Sequence, residues 1–191
     1  IYLFGLLFIT CTSIGAITAI INIDLINTRW LLFGRFDTND SNDYFLQAKS
    51  FLFNKQFYSQ KGRIIYPIFY SGLLKVFNLN ITYIQISLAL IASIIAYLCA
   101  IILFKNFGSI GGLLSSYLSV DFLHENIGGN CTEVIGFILG GLCFMYFNSL
   151  FVNKRFSLLN YVLFFLTLIL AFAFRPAPLF IIPTFIIIFI Y

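Results

Sequence analysis

Apolar and polar positions along this chain fall into long blocks. Six stretches carry no charged residue: 1–23, 81–104, 107–120, 134–152, 156–174 and 176–191. All seven acidic and all eleven basic residues lie between them. A helix crosses a bilayer core with about 20 consecutive apolar residues. The pattern therefore predicts membrane-spanning helices at about 2–22, 81–104, 107–123, 134–152, 157–174 and 177–191. The joints at 105–106 and 153–155 are as short as those between packed antiparallel helices.

The polar stretch 24–80 has an order of its own. Within 43–57, Tyr44, Phe45, Ala48, Phe51 and Leu52 recur at helical spacing, with Gln47, Lys49 and Asn54 off that face. Asp40, Ser41 or Asn42 is placed to cap the start. Gly62 interrupts the pattern, and Pro67 suits the first turn of a second helix. Phe69, Tyr70, Leu73, Leu74 and Phe77 give that segment an apolar face. Two helices, at about 42–54 and 67–77, are thus expected to lie in the membrane interface.

Composition sharpens the class. The chain is 61% hydrophobic, 19% aromatic and only 9% charged, against about 25% charged in soluble domains. That excludes a disordered chain, a disulfide scaffold and an ordinary water-soluble enzyme. The expected fold is all-α, a polytopic transmembrane helical bundle with amphipathic juxtamembrane helices in its first outer loop. The first segment has no basic leader, and its 23 apolar residues exceed a signal-peptide core. A chain opening on Ile1 and closing on Tyr191 within an apolar run reads as the amino-terminal part, about six spans, of one transmembrane domain. The formal net charge is +4 with no basic stripe, so no nucleic-acid partner is expected. Cys11, Cys99, Cys131 and Cys143 show no metal-ligand spacing, and three of them fall in apolar segments as small hydrophobes. Asn39-Asp40-Ser41, Asn80-Ile81-Thr82 and Asn130-Cys131-Thr132 match the glycosylation pattern, as chance allows in an Asn-rich chain. The pairs Gly111-Gly112, Gly128-Gly129 and Gly140-Gly141 are suited to close helix packing.

Orientation follows from Lys and Arg in the short loops. Lys105, Lys154 and Arg155 lie on one side, while the opposite short loop, 124–133, has none. This places the amino terminus and both basic joints in the cytoplasm, and the 24–80 loop outside. Against it stand the seven Lys and Arg within that loop, Arg29 and Lys75 among them. With the short loops given more weight, every acidic residue lies outside, together with His124 and Arg175.

The candidate chemistry begins at Asp37-Thr38-Asn39-Asp40-Ser41-Asn42-Asp43-Tyr44. Three carboxylates at the start of a helix exceed what capping and dipole complementarity require. A general base or a metal ligand is the sharper alternative.

At these residues the chain resembles the GT-C superfamily of membrane glycosyltransferases, in its protein O-mannosyltransferase-like and aminoarabinose-transferase-like branch. The likeness runs over nearly all of the chain. One helix is followed by an outer loop with an acid four positions before a tyrosine, Asp40 and Tyr44. Next come a proline-bearing segment, Tyr66-Pro67-Ile68-Phe69-Tyr70-Ser71-Gly72-Leu73-Leu74-Lys75-Val76-Phe77-Asn78, then two spans joined by a short turn. An acid before the next span, Thr132-Glu133, and a basic residue after the fifth, Arg175-Pro176, complete the order. The family often has adjacent acids at the first site, where Asn39-Asp40-Ser41 stands here.

The resemblance implies an enzyme that moves a sugar from a polyprenyl-phosphate carrier to a lipid, glycan or protein acceptor. It also implies a multi-pass protein of a bacterial inner or plasma membrane, with its active site on the outer face. Asp40 is then the first choice for the catalytic carboxylate, followed by Asp43 and Asp37. Arg63, Lys61 and Arg175 are candidates for the phosphate, since Arg suits bidentate phosphate contact. Each also has a plain role: Arg175 snorkelling to the interface, Lys61 and Arg63 solvated around Gly62. His124 and Glu133 are candidates for substrate contact, and with Glu125 and the Asp cluster they have the ligand chemistry for a divalent cation. The competing classes are a transporter or lipid flippase, and a polysaccharide polymerase or ligase. The first needs charges along a path through the bundle, which the charge-free spans lack. The second typically places its large outer loop late in the chain.

Overall fold

The computed structural model describes residue 5 and residues 31–32, 36–37, 40–54, 65–126, 132–153 and 156–174. Within these the fold is helical apart from one small ladder. Strands β1 (Leu31–Leu32) and β2 (Phe36–Asp37) pair antiparallel, Leu31 opposite Asp37 and Leu32 opposite Phe36. The helices are α1 (Asp40–Asn54), α2 (Ile65–Val76), α3 (Ile81–Asn126), α4 (Thr132–Phe147) and α5 (Leu158–Phe174). The expected spans at 177–191 and, Gly5 apart, at 2–22 lie outside the described residues.

Both helices expected in the polar stretch are present, with shifted starts. Helix α1 begins at Asp40, so Ser41 and Asn42 lie within its first turn. Helix α2 begins two residues before Pro67, which stays in the first turn where its missing N–H costs nothing. Helix α2 ends in a tight turn at Asn78 and Leu79, both with positive φ (50° and 64°). There the Leu79 N–H donates to the Leu74 carbonyl at 2.7 Å, which satisfies a terminal acceptor. Asn80 then caps α3, accepting from the Tyr83 N–H at 3.4 Å through Oδ1. The ladder was not expected from the sequence. Two-residue strands carry no readable alternation.

Helix α3 is two helices joined without a loop. Gly108 (φ 71°, ψ −162°) breaks it. A Cβ on Gly111 would stand 3.0 Å from the Leu103 carbonyl oxygen, and one on Gly112 2.9 Å from Phe104 Cβ. In a straight helix Leu103 and Gly111 would be about 12 Å apart along the axis. The chain therefore folds back on itself, and Leu123 of the second arm packs among Ala89, Ala92, Ile95 and Ala96 of the first. The reversal was expected at 105–106. It falls at Gly108 because only glycine readily adopts that φ/ψ.

Helix α4 packs on the first arm along a close seam: a Cβ on Gly141 would collide with Ile95 Cγ2 and touch Cys99 Sγ. Its last turn widens into a π-helical turn, Asn148–Val152, closed by the Asn153 N–H donating to the Asn148 carbonyl at 2.9 Å. The Asn106 side-chain amide donates to Asn148 Oδ1 at 2.7 Å, tying the reversal to the end of α4. Asn160 of α5 reaches Ser149 at 3.3 Å at the same end. The opposite end is held by a second cluster: Tyr44 and Ala48 of α1, Tyr66, Tyr70 and Leu74 of α2, Ile84 of α3, Ile135 of α4 and Phe174 of α5.

Two helical segments are long and apolar enough to cross a membrane by length and composition, Ile81–Leu123 and Thr132–Val152, whose most apolar 18-residue stretches have mean hydropathy 2.7 and 1.9. Leu158–Phe174 is apolar but shorter. Much of this apolar surface faces outward: Ile110, Leu113 and Tyr117 are 81%, 68% and 68% exposed.

Candidate active site

Of the candidate residues, Asp40, Asp43 and Glu133 stand in the first turns of helices and His124 in a last turn, at the end of the molecule opposite the Asn106–Asn148 contact. Asp40 is the first residue of α1, and Asp43 stands half-buried in the same turn. Carboxylates there complement the positive end of the helix dipole. Tyr44, the next residue, turns inward and is almost fully buried. Asp37 lies in β2, the strand just before α1, which it contacts.

Glu133 occupies the first turn of α4, next to the buried Thr132. It is half-buried, and its Oε2 is shielded from solvent. Removing part of a carboxylate from water costs free energy, and the amino-terminal end of α4 offsets some of that cost. His124 lies in the last turn of α3, so its backbone is at the α3–α4 connection near this same end. Lys61, Arg63 and Arg175 lie outside the described residues. Phe174, which immediately precedes Arg175, belongs to the cluster that holds Tyr44 and Ile135. Thus the cluster contains the residue four after Asp40, the residue two after Glu133 and the residue one before Arg175.

The rings at the centre define the geometry. Tyr44 meets Tyr66 edge-on with centroids 4.9 Å apart. Tyr66 stacks on Tyr70 at 5.7 Å and meets Phe174 edge-on at 6.3 Å. Phe69 meets Phe174 at 5.4 Å. Burial pushes the Tyr70 phenol well above its ordinary pKa, because a phenolate there would lose its hydration. Tyr70 therefore stays neutral and keeps its hydroxyl proton across physiological pH.

Below this cluster an apolar groove of about 440 Å3 opens between four helices. Ile68 and Phe69 of α2, Leu88 and Ile91 of α3, Ile138 and Leu139 of α4, and Leu170 and Phe174 of α5 line it. Phe69, Ile135 and Phe174 touch both the groove and the ring or apolar packing of the cluster. A hydrocarbon chain held in the groove would have its polar end beside the amino-terminal turns of α1 and α4.

Among the described residues no group of three His, Cys, Asp or Glu side chains is placed to hold a metal ion. Sequence reasoning did not single out Tyr66 as a buried residue, nor Ser71 and Gln85, which are 4% and 2% exposed. The spacing Tyr66, Tyr70, Leu74 is the i, i+4, i+8 signal that marks the first of these. Polar Ser71 and Gln85 carry no such signal. No family model, curated protein or solved structure matches the chain.

Proposed function

We propose that this protein is a multi-pass membrane glycosyltransferase. It moves a sugar from a polyprenyl-phosphate donor to a lipid, glycan or protein acceptor at the outer membrane face. The observation that carries this reading is the shared cluster. Three distant parts of the chain, carrying Asp40, Glu133 and Arg175, have neighbouring residues packed together at one end of the helices. An amphiphilic donor fits such an arrangement. Its hydrocarbon has the groove beneath, and its phosphate and sugar have the polar end above. The outward apolar surface of α3 and α5 supports burial in lipid, because soluble monomers rarely expose continuous patches of that extent.

In this reading the acceptor hydroxyl oxygen attacks the anomeric carbon. The bond from that carbon to the phosphate oxygen breaks, and polyprenyl phosphate leaves with the electron pair. Asp40 takes or orients the acceptor proton, with Asp43 and Asp37 as neighbouring carboxylates. Arg175, Arg63 and Lys61 balance charge on the departing phosphate, and Glu133 and His124 contact the sugar or the acceptor. Glu133 is suited to accept hydrogen bonds from sugar hydroxyls.

Asp40→Asn keeps the size and much of the capping capacity of the residue and removes its charge. In the natural protein in its membrane, we expect normal abundance and transfer from polyprenyl-phosphate sugar reduced at least about 100-fold, the scale of a general base. Asp43→Asn should reduce transfer less. Loss in Asp43→Asn beside near-normal Asp40→Asn would move the role to Asp43. Normal transfer in the Asp37, Asp40 and Asp43 variants alike would leave the three as helix-start residues and favour a transporter.

A further inference from the structure

Tyr66 makes a contact in every direction that matters to the site, although it lines neither the groove nor the polar turns. It is 2% exposed. Its ring meets Tyr44 of α1 edge-on at 4.9 Å, stacks on Tyr70 of its own helix at 5.7 Å, and meets Phe174 of α5 edge-on at 6.3 Å. Tyr44 is one helical turn from Asp40, and Phe174 adjoins Arg175. Helices α1 and α5 thus both contact this one side chain of α2, α5 also meeting Phe69 at 5.4 Å. Aromatic contacts of this kind have preferred angles and distances as well as favourable energy, so they fix the position of a helix and not merely its burial.

We propose that Tyr66 is a positioning residue that sets the distance between the first turn of α1 and the Phe174 end of α5, acting through Tyr44 and Phe174. The catalytic part of this inference rests on the glycosyltransferase reading; the positional part does not. Tyr66 itself does not line the groove, so its loss removes no direct donor contact while it misplaces the reacting groups. A misplacement near 1 Å costs up to about 100-fold in rate.

The test uses Tyr66→Phe and Tyr66→Leu in the natural full-length protein, reconstituted in lipid. Spin labels at exposed Lys49 of α1 and Ile169 of α5 report the distance between those helices. Tyr66→Phe keeps the ring and should retain both the wild-type distance distribution and transfer. Tyr66→Leu keeps apolar volume without the ring. It should shift or broaden the distribution and lower kcat at least about 10-fold, with KM for the polyprenyl-phosphate donor changed less than about twofold. An unchanged distribution in Tyr66→Leu overturns the proposal, and so does loss of transfer in Tyr66→Phe, which would assign the role to the hydroxyl. If the wild-type protein transfers no sugar, the glycosyltransferase reading fails, while the distance measurement still decides whether Tyr66 sets the spacing.

Discussion

Two glycines show how single residues govern this molecule. Gly108 has φ 71° and ψ −162°, a backbone region that side-chain-bearing residues occupy only at a cost of about 1–3 kcal/mol. Gly141 has an ordinary helical backbone but no free space, because Ile95 Cγ2 and Cys99 Sγ fill the place a Cβ would take. The two therefore fail differently when replaced. Gly108→Ala strains the backbone, since no side chain lies within 4 Å to collide with it. Gly141→Leu forces α4 away from α3, the kind of overpacking that costs about 1–3 kcal/mol. We expect both to lower the midpoint of thermal unfolding in detergent. Gly140→Ala, with open space at its Cβ, should be neutral or slightly stabilising. Equal destabilisation by Gly140→Ala and Gly141→Leu would contradict the seam described here.

At the scale of elements, the contact between Asn106 and Asn148 joins the reversal of α3 to the π-helical turn after α4. Asn148 is 6% exposed, so its amide is committed to this bond and not to water. Interhelical polar contacts within apolar surroundings contribute about 0.6–2 kcal/mol. A double-mutant cycle with Asn106→Leu and Asn148→Leu should give a coupling of about 1 kcal/mol; strict additivity would show that the two amides act independently. The elements also show what could be read from the chain. Apolar blocks and helical spacing located α1, α2 and the helices between 81 and 174, because a buried face repeats in sequence. The reversal was misplaced by two to three residues, since Lys105 and Asn106 look like a polar joint, whereas the turn needs the φ of Gly108. The pairing of Asn106 with Asn148 and the meeting of Tyr66 with Tyr44 and Phe174 left no trace, because they depend on how helices far apart in sequence are rotated against one another. The gathering of the neighbours of Asp40, Glu133 and Arg175 followed from alternating helix directions alone.

At the scale of the whole molecule, the two ends differ in chemistry. One carries Lys105, Asn106 and the π-helical turn; the other carries α1, α2 and the acidic first turns of α1 and α4. If the helices cross a bilayer, these ends lie on opposite faces. Lys49→Cys and Lys105→Cys, both at exposed positions, should then react with a membrane-impermeant maleimide from opposite sides of sealed vesicles. Labelling of both from the same side would remove the membrane-spanning arrangement of α3.

With a single residue between its arms, the α3 hairpin has no slack. A longer loop would absorb an added or deleted residue, as surface connections generally do. Here one alanine inserted between Leu113 and Leu114 would rotate all that follows by about 100°. Leu123 would swing off the row of alanines at 89, 92 and 96 that receives it, and the connection to α4 would leave on a different heading. Evolution of this segment is therefore confined to substitution. Homologues should keep the number of residues from Gly108 to Leu123 constant even where the residues themselves have changed, and length variation should collect in the stretches outside the hairpin.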